Sequence, residues 1–479
     1  MNRIAMLTPL PPTKSGVAHY ASMVLPALAR RVEVRAFDTL DGYRREDYDG
    51  VVYQLGNNPH HEVMYAEAMR EPGVVVLHDL VLHHLIVEMT LARGDADAYI
   101  AALEANHGPA GAAWARGRAS GLHSEMGNFL LPASVELARR STAVIVHNRY
   151  ARERLLSFGV ETPIHVVPHP YVAETRHFDR DALRARLGFT REHRVIGFFG
   201  FLTSAKRAEV ALEAFRLARQ RDPSLALLIV GEPAPNIDLA TLDQAGIVTT
   251  GYVADEDFPS YYAMADCFVN LRYPSAGETS GTLIRAFDAG KPVAVSDYAQ
   301  FAELPDDCVV KVPLGGDEVE RLVAFFTDPL PDVAAAQRRW LDEHAALEQT
   351  VDGYLAALNG DGVSERRTVH AALPLFPKLE LVRATAGDEV RITVKNIGDA
   401  TIRTRTYGQP EYRLLAKLFD GGVQLQDRWL ALPRDLRPGE EATVELPRIG
   451  DPTVLRLYHA LQDIPMLEPQ PWAEVSDLR

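Results

Sequence analysis

The stretch RVIGFFGFLTSAKRAEVALEAFRLARQRDPSLALLIVG, residues 194–231, decides the fold. It opens on a short apolar run, RVIGFFG (194–200), and crosses a polar loop into AEVALEAFRLARQ (208–220), whose apolar residues recur at helical spacing along one face. A second apolar run, LALLIVG (225–231), follows. Short runs that are apolar on both faces and separated by a helix-sized segment are the mark of parallel strands with helices packed on either side. The rhythm continues through IVTTGYV (247–253), DCFVNL (266–271) and PVAVSD (292–297), which predicts a Rossmann-like unit.

The same rhythm runs upstream in RIAMLTP (3–9), VEVRAFD (32–38), VVYQLG (51–56), VVVLHD (74–79), AVIVHN (143–148) and IHVVPHP (164–170). A second Rossmann-like unit is therefore expected over 1–175, joined by the connector 171–193 to the unit over 176–331. Residues 332–360 read as one or two helices that cross back, with 332–358 closing the first unit. From about 372 the pattern changes to period-two alternation in KLELVRA, DEVRITVKN, YRLLAKLFD, ATVELPR and TVLRLYHAL, separated by GD, GG and PGE turns. That alternation predicts an antiparallel β-sandwich over 372–479. The fold class is α/β, two facing Rossmann-like domains with an appended sandwich, and 479 residues suit about three such units.

Composition narrows the function. A formal charge of −15 opposes general binding to nucleic acid, which draws its affinity from clustered Lys and Arg. Only Cys267 and Cys308 are present, each beside an apolar run, so reduced core cysteines are expected rather than a disulfide framework or a cysteine metal site. The N-terminal apolar run is too short for a signal peptide and no run of about 18 apolar residues occurs, so the chain is expected to be cytoplasmic. The basic stretches RRST (139–142) and ARERLL (151–156) read as a solvated helix face or as peripheral contact with the inner face of a membrane.

Ligands of open α/β sheets bind beyond the C-terminal ends of the strands, so polar residues directly after strands carry the chemistry. TPLPPTKSGVAHY (8–20) ends in Ser15 and Gly16 at a helix start, where free backbone N–H groups suit an anion; an ordinary turn with Ser15 as helix cap is the plain alternative. His19 lies one turn further on, facing the cleft or capping the sheet. Asn57 and Asn58 follow the third strand, and His78 beside Asp79 follows the fourth. An imidazole next to a carboxylate is equipped to bind or activate a hydroxyl. His83 and His84 nearby raise a metal site, but no further Cys or carboxylate completes a recognisable ligand set, and a polar, sugar-facing wall is preferred.

In the second unit, Lys206 and Arg207 stand at a helix start after Gly200, two cations beside the positive end of a helix dipole and well matched to a diphosphate, or else a solvated basic pair. Glu278 follows DCFVNL through the loop RYPSAG, and Thr279, Ser280, Gly281 and Thr282 then open a helix. A carboxylate there can accept two sugar hydroxyls while the helix amides hold phosphate; the alternative is that Glu278 merely favours the dipole.

Taken in order, SGVAHY, VVYQLGNNPHH, VVVLHD, GFLTSAKR and GYVADEDFPSYYAMADCFVNLRYPSAGETSGTLIRAFDAGKPVAVSD make residues 1–358 resemble glycosyltransferase family 4, retaining sugar transferases of the GT-B fold. The resemblance implies an N-terminal acceptor unit and a C-terminal unit that binds a nucleoside-diphosphate sugar. It implies that Lys206 holds the diphosphate, that Glu278 contacts the donor sugar, and that Gly16 and His78 lie near the reacting centre, with no metal and no cofactor. Two departures stand out. Aligning on AFDAGKPV puts Arg285 where the family has a second, ribose-binding acid, and the family's usual Arg falls on Phe201. Arg285 is expected to pair with Glu278 or to replace the missing diphosphate contact. The expected activity is transfer of a sugar to a glycan or lipid-linked acceptor in surface polysaccharide assembly. The rival reading is a non-catalytic scaffold or sensor on the same fold, and an epimerase or phosphorylase ranks third. Tyr412, Trp429 and Trp472 in the sandwich read as its core or as sugar-stacking platforms.

Overall fold

The computed structural model describes residues 3–13, 15–121, 127–232, 245–254, 256–315, 317–365, 378–398, 401–402, 412–461, 464–466, 472–476 and 478. The first unit contains β1 (Arg3–Leu7), β2 (Glu33–Phe37), β3 (Gly50–Leu55), β4 (Val74–Leu77), β5 (Ala143–Val146) and β6 (Ile164–Val166). Its helices are α1 (Gly16–Leu28), α2 (Glu62–Arg70), α3 (His83–Met89), α4 (Ala96–Ala119), α5 (Gly127–Leu130), α6 (Val135–Arg140) and α7 (Arg149–Ser157). All six strands run parallel in the order β2-β1-β3-β4-β5-β6. Every residue of β3, β4 and β5 is buried, as a sheet covered on both faces requires.

The second unit repeats the plan. It holds α8 (Arg180–Arg186), β7 (Arg194–Phe199), α9 (Ala208–Arg221), β8 (Leu225–Val230), β9 (Ile247–Thr249), α10 (Phe258–Met264), β10 (Cys267–Asn270), α11 (Gly281–Asp288), β11 (Val293–Ser296), β12 (Val310–Val312) and α12 (Glu318–Thr327). The sheet order β12-β11-β10-β7-β8-β9 is again parallel throughout. Strand β12 was not foreseen, because three residues at a sheet edge leave little periodicity to read. Helices α9 and α12 cover one face through Ala211, Phe215, Leu322 and Phe326, while α10 and α11 cover the other through Tyr262, Met264 and Phe287.

Two closing helices divide their packing between the units. Helix α13 (Ala334–His344) buries Leu341 in the second unit and sets Trp340 edge-on to Phe287. Helix α14 (Leu347–Asn359) buries Val351, Tyr354 and Leu358 against Ile4, Tyr20 and Val24 of the first. The chain crosses over at Ala345–Ala346, between the two helices.

The C-terminal region is antiparallel. Strands β13 (Leu379–Ala386), β14 (Glu389–Asn396) and β17 (Glu441–Pro447) form one sheet; β15 (Tyr412–Asp420), β16 (Val423–Ala431), β18 (Val454–Leu461), β19 (Ile464–Met466) and β20 (Ala473–Val475) form the other. In β17 buried and exposed residues alternate strictly, the period-two signature. Strand β16 escaped the reading because Gln426, one of its buried positions, is polar. Trp472 is half-buried against the core and stacks on His459 at 5.4 Å, which favours the core reading for this residue. The side chains of Tyr412 and Trp429 lie outside the described residues. Cys267 and Cys308 are buried and free. Among the described residues, no helix is long and apolar enough to cross a membrane.

Candidate active site

The C-terminal strand ends of the two sheets face each other, and the loop after β10 is packed on the first unit. Gly200 ends β7 with φ +87°, and a Cβ there would stand 2.5 Å from the Lys206 ammonium. Only glycine leaves that space, so the lysine folds back over the strand end, with Nζ 3.5 Å from the Phe199 carbonyl. Burial holds the ammonium well below the usual lysine range, the neighbouring Arg272 adds to this, and the Glu278 carboxylate opposes it.

The start of α11 lies beside the lysine. Ser280 caps the helix by accepting from the Leu283 N–H, and its hydroxyl donates to Asn270 Oδ1 at 3.1 Å. Thr282 donates to the same oxygen at 3.0 Å. Asn270 Nδ2 is buried without a partner among the described residues. Among the described residues, apart from chain neighbours and its own helix backbone, nothing stands within 4 Å of a Cβ built on Gly281, nor of one built on Gly16 at the start of α1. Ser15 caps α1, its Oγ accepting from Val17 N–H at 3.2 Å.

Loop 275–279 joins the units. The Val81 N–H donates to the Ala276 carbonyl at 3.1 Å and Asn148 Nδ2 donates to that of Gly277 at 2.8 Å. Gly277, with φ +74°, lies so close to Leu80 that a Cβ would sit 2.8 Å from the leucine's own. This docking carries Glu278 toward Asp79, half-buried at the end of β4. Burial first, and the Glu278 charge second, push the Asp79 carboxyl up to about 7, although Asp79 accepts from the Asn57 N–H at 2.8 Å.

His78 belongs to a half-buried row of imidazoles around the buried Tyr20. His147 Nδ1–H donates to the Val167 carbonyl at 2.9 Å, and its Nε2 lies 3.1 Å from His78 Nδ1. His78 Nε2 lies 3.4 Å from Gln54 Oε1, an acceptor, so the proton of the neutral His78 ring is shared between demands at Nδ1 and Nε2. Burial pulls His147 down to about 4 and His169 to about 3, and it lowers His78 as well, so the row is neutral near pH 7. A cavity of about 580 Å³ adjoins the site on the hinge side, lined by residues including His147, His169, Thr279, Ser280, Glu303 and Trp340. It touches neither Lys206 nor His78.

Residues 193–324 match the family model "Glycosyl transferases group 1". Mannosylfructose-phosphate synthase of Agrobacterium fabrum is 31 % identical over 152 residues, 28 % of this chain and 32 % of that protein. D-inositol 3-phosphate glycosyltransferase of Segniliparus rotundus is 26 % identical over 253 residues, 49 % of this chain and 56 % of that one. The chain thus spans about a third and about half of these curated relatives. Among solved structures, Anabaena HepE in complex with UDP-glucose superposes with a TM-score of 0.51 at 15 % identity, covering 75 % of this chain and 100 % of HepE. Sucrose-phosphate synthase of Thermosynechococcus elongatus gives 0.50 at 13 %, covering 74 % and 98 %. The fold is GT-B.

Within this GT-B frame the cations sort differently from the sequence expectation. Arg207 turns away from the cleft and forms a two-pronged ion pair with Glu318 of α12, whose carboxylate is 2 % exposed. Its backbone φ of +57° at the start of α9 aims it there, so Arg207 is corrected from a donor contact to a brace between α9 and α12. Arg285 does not pair with Glu278. It reaches across to His19 Nε2 at 3.4 Å and lies 5.3 Å from the centre of the Phe258 ring. The partner of Glu278 is Arg272, whose Nε donates to Oε1 at 2.9 Å. Arg272 went unread inside the loop RYPSAG; its place directly after a strand was the available signal.

In the first unit, Asn57 Oδ1 accepts from the Leu85 N–H of α3 and Asn58 Oδ1 from His60 N–H two residues on, so both carboxamide oxygens are engaged by backbone. His83 is buried between the Leu131 carbonyl and the Tyr99 hydroxyl, while His84 is exposed beside Glu88. Among the described residues, no three His, Cys, Asp or Glu side chains converge as a metal site.

Proposed function

We propose that the protein transfers a sugar from a nucleoside-diphosphate donor held by the second unit to an acceptor held by the first, with retention of anomeric configuration. The observation that carries this reading is the placement of Lys206 in the space left by Gly200, beside the start of α11. The group 1 match covers that same unit. In the proposed reaction the bond between the anomeric carbon and the phosphate oxygen breaks as the acceptor oxygen bonds to that carbon. The acceptor proton passes to the leaving diphosphate. Lys206 and the α11 amides stabilise the charge that develops there, Glu278 accepts sugar hydroxyls, and the neutral His78 imidazole lies at the sugar's edge.

The reading extends to a cytoplasmic enzyme working without metal or cofactor on a glycan or lipid-linked acceptor in surface polysaccharide assembly, in peripheral contact with the membrane. UDP-glucose, bound by HepE, is the first donor to try. The test is release of nucleoside diphosphate from a panel of UDP-, GDP- and ADP-sugars, with NMR of the product's anomeric centre. One donor is expected to turn over, Lys206→Ala to slow it by about 100-fold, and the product to retain configuration. Folded protein that neither binds nor turns over any donor supports the scaffold reading instead, which the arginine at 285 and the phenylalanine at 201 would then explain.

A further inference from the structure

We propose that Arg272 and Lys206 form a two-cation seat for the donor's diphosphate, and that Arg272, not Arg285, supplies the guanidinium absent at Phe201. The inference rests on the nucleoside-diphosphate reading above and names the residue that sets its specificity.

Arg272 follows β10 by two residues and is 8 % exposed. Its Nε donates to Glu278 Oε1 at 2.9 Å and its Nη1 to the Leu271 carbonyl at 2.8 Å. Nη2 makes no hydrogen bond among the described residues and stays accessible to solvent, so one edge of the guanidinium is open to a ligand. An anion that replaces solvent at that edge gains charge-assisted hydrogen bonds in a site where water screens them only in part.

The local charge balance has the same sense. Lys206 and Arg272 share one carboxylate, Glu278, and Arg272 is close enough to disfavour the charged form of Lys206. Two cations against one anion leave a positive excess in a partly dry site. A single phosphate satisfies one cation; a diphosphate reaches both, with the planar fork of arginine matched to phosphate oxygens.

The other candidates are engaged elsewhere. Arg207 is paired with Glu318, Arg285 reaches His19 on the opposite unit, and Phe201 is 60 % exposed and uncharged. Glu278 acts here as a positioning residue, holding the guanidinium by Nε and leaving its outer edge to the ligand.

Calorimetry of the full-length chain with UDP, GDP and ADP and with their monophosphates tests this in wild type, Arg272→Gln, Arg272→Lys and Arg285→Gln, with circular dichroism melts as the folding check. Whichever diphosphate binds wild type is expected to bind Arg272→Gln about 30- to 100-fold more weakly, with the monophosphate changed by less than about threefold. Arg285→Gln is expected to keep the wild-type ratio of diphosphate to monophosphate affinity. A merely structural role for Arg272 would weaken both ligands alike, and that result overturns the proposal, as does collapse of the ratio in Arg285→Gln. If Arg272→Gln does not fold, Arg272→Lys decides: it keeps the charge but loses the fork, so a ratio reduced by about fivefold or more supports the seat and an unchanged ratio overturns it. Failure of wild type to bind any of the three diphosphates overturns the nucleotide-donor reading itself, a result distinct from any change of ratio.

Discussion

Asp79 and Glu278 face one another from different units, and the pair leaves a titration signature. Asp79 is held protonated up to about pH 7, whereas in the unfolded chain it releases its proton near 4. The folded state therefore binds the extra proton across that window, so this carboxyl's contribution to stability is full below about pH 4 and is lost as pH rises through 7. In urea denaturation, wild type is expected to lose stability relative to Asp79→Asn between pH 5 and pH 7.5; a constant difference would place the Asp79 titration outside this window. His78 was legible as a residue placed after a strand, but its tautomer was not. That depends on His147 and on the Val167 carbonyl, which reach it only through the fold.

Between elements, the two arginines show how one residue type acquires different roles. Arg207 holds the start of α9 against a nearly inaccessible carboxylate on α12. Arg207→Ala strands that carboxylate and is expected to cost about 3–5 kcal/mol of stability, read from denaturant midpoints at constant slope. Nucleotide affinity in the surviving fold should change little; a large loss of affinity without loss of stability would restore Arg207 to the donor site. The start of α9 is visible in sequence from Lys206-Arg207 followed by amphipathic spacing. Which of the two cations turns inward is set by the left-handed backbone at Arg207 and by Glu318, over a hundred residues away.

Across the whole molecule, α14 ties the end of the GT-B core to its beginning. Tyr354 donates to the Tyr20 hydroxyl at 3.1 Å and accepts from Gln54 Nε2 at 3.1 Å, all three groups buried. Tyr354→Phe removes a shared hydroxyl and leaves the Gln54 donor without that partner. A loss of about 1–3 kcal/mol is expected in equilibrium unfolding; a change below about 0.5 kcal/mol would show that another group or water takes over the bond. Gln54 also adjoins His78, so the tie reaches the strand end that carries this histidine.

The sequence by itself determined the two parallel sheets, the sandwich-type alternation after residue 372 and the strand-end loops that carry Gly200, Lys206, His78 and Glu278. These follow from local hydrophobic period and from glycine at sharp strand ends, properties that neighbouring residues impose on one another. Only the tertiary structure decided that Glu278 pairs with Arg272, that Arg207 braces α12 and that Arg285 crosses to His19. A charged side chain can swing several ångströms about its own Cα, and its partner is chosen by burial and by which distant backbone comes to lie beside it.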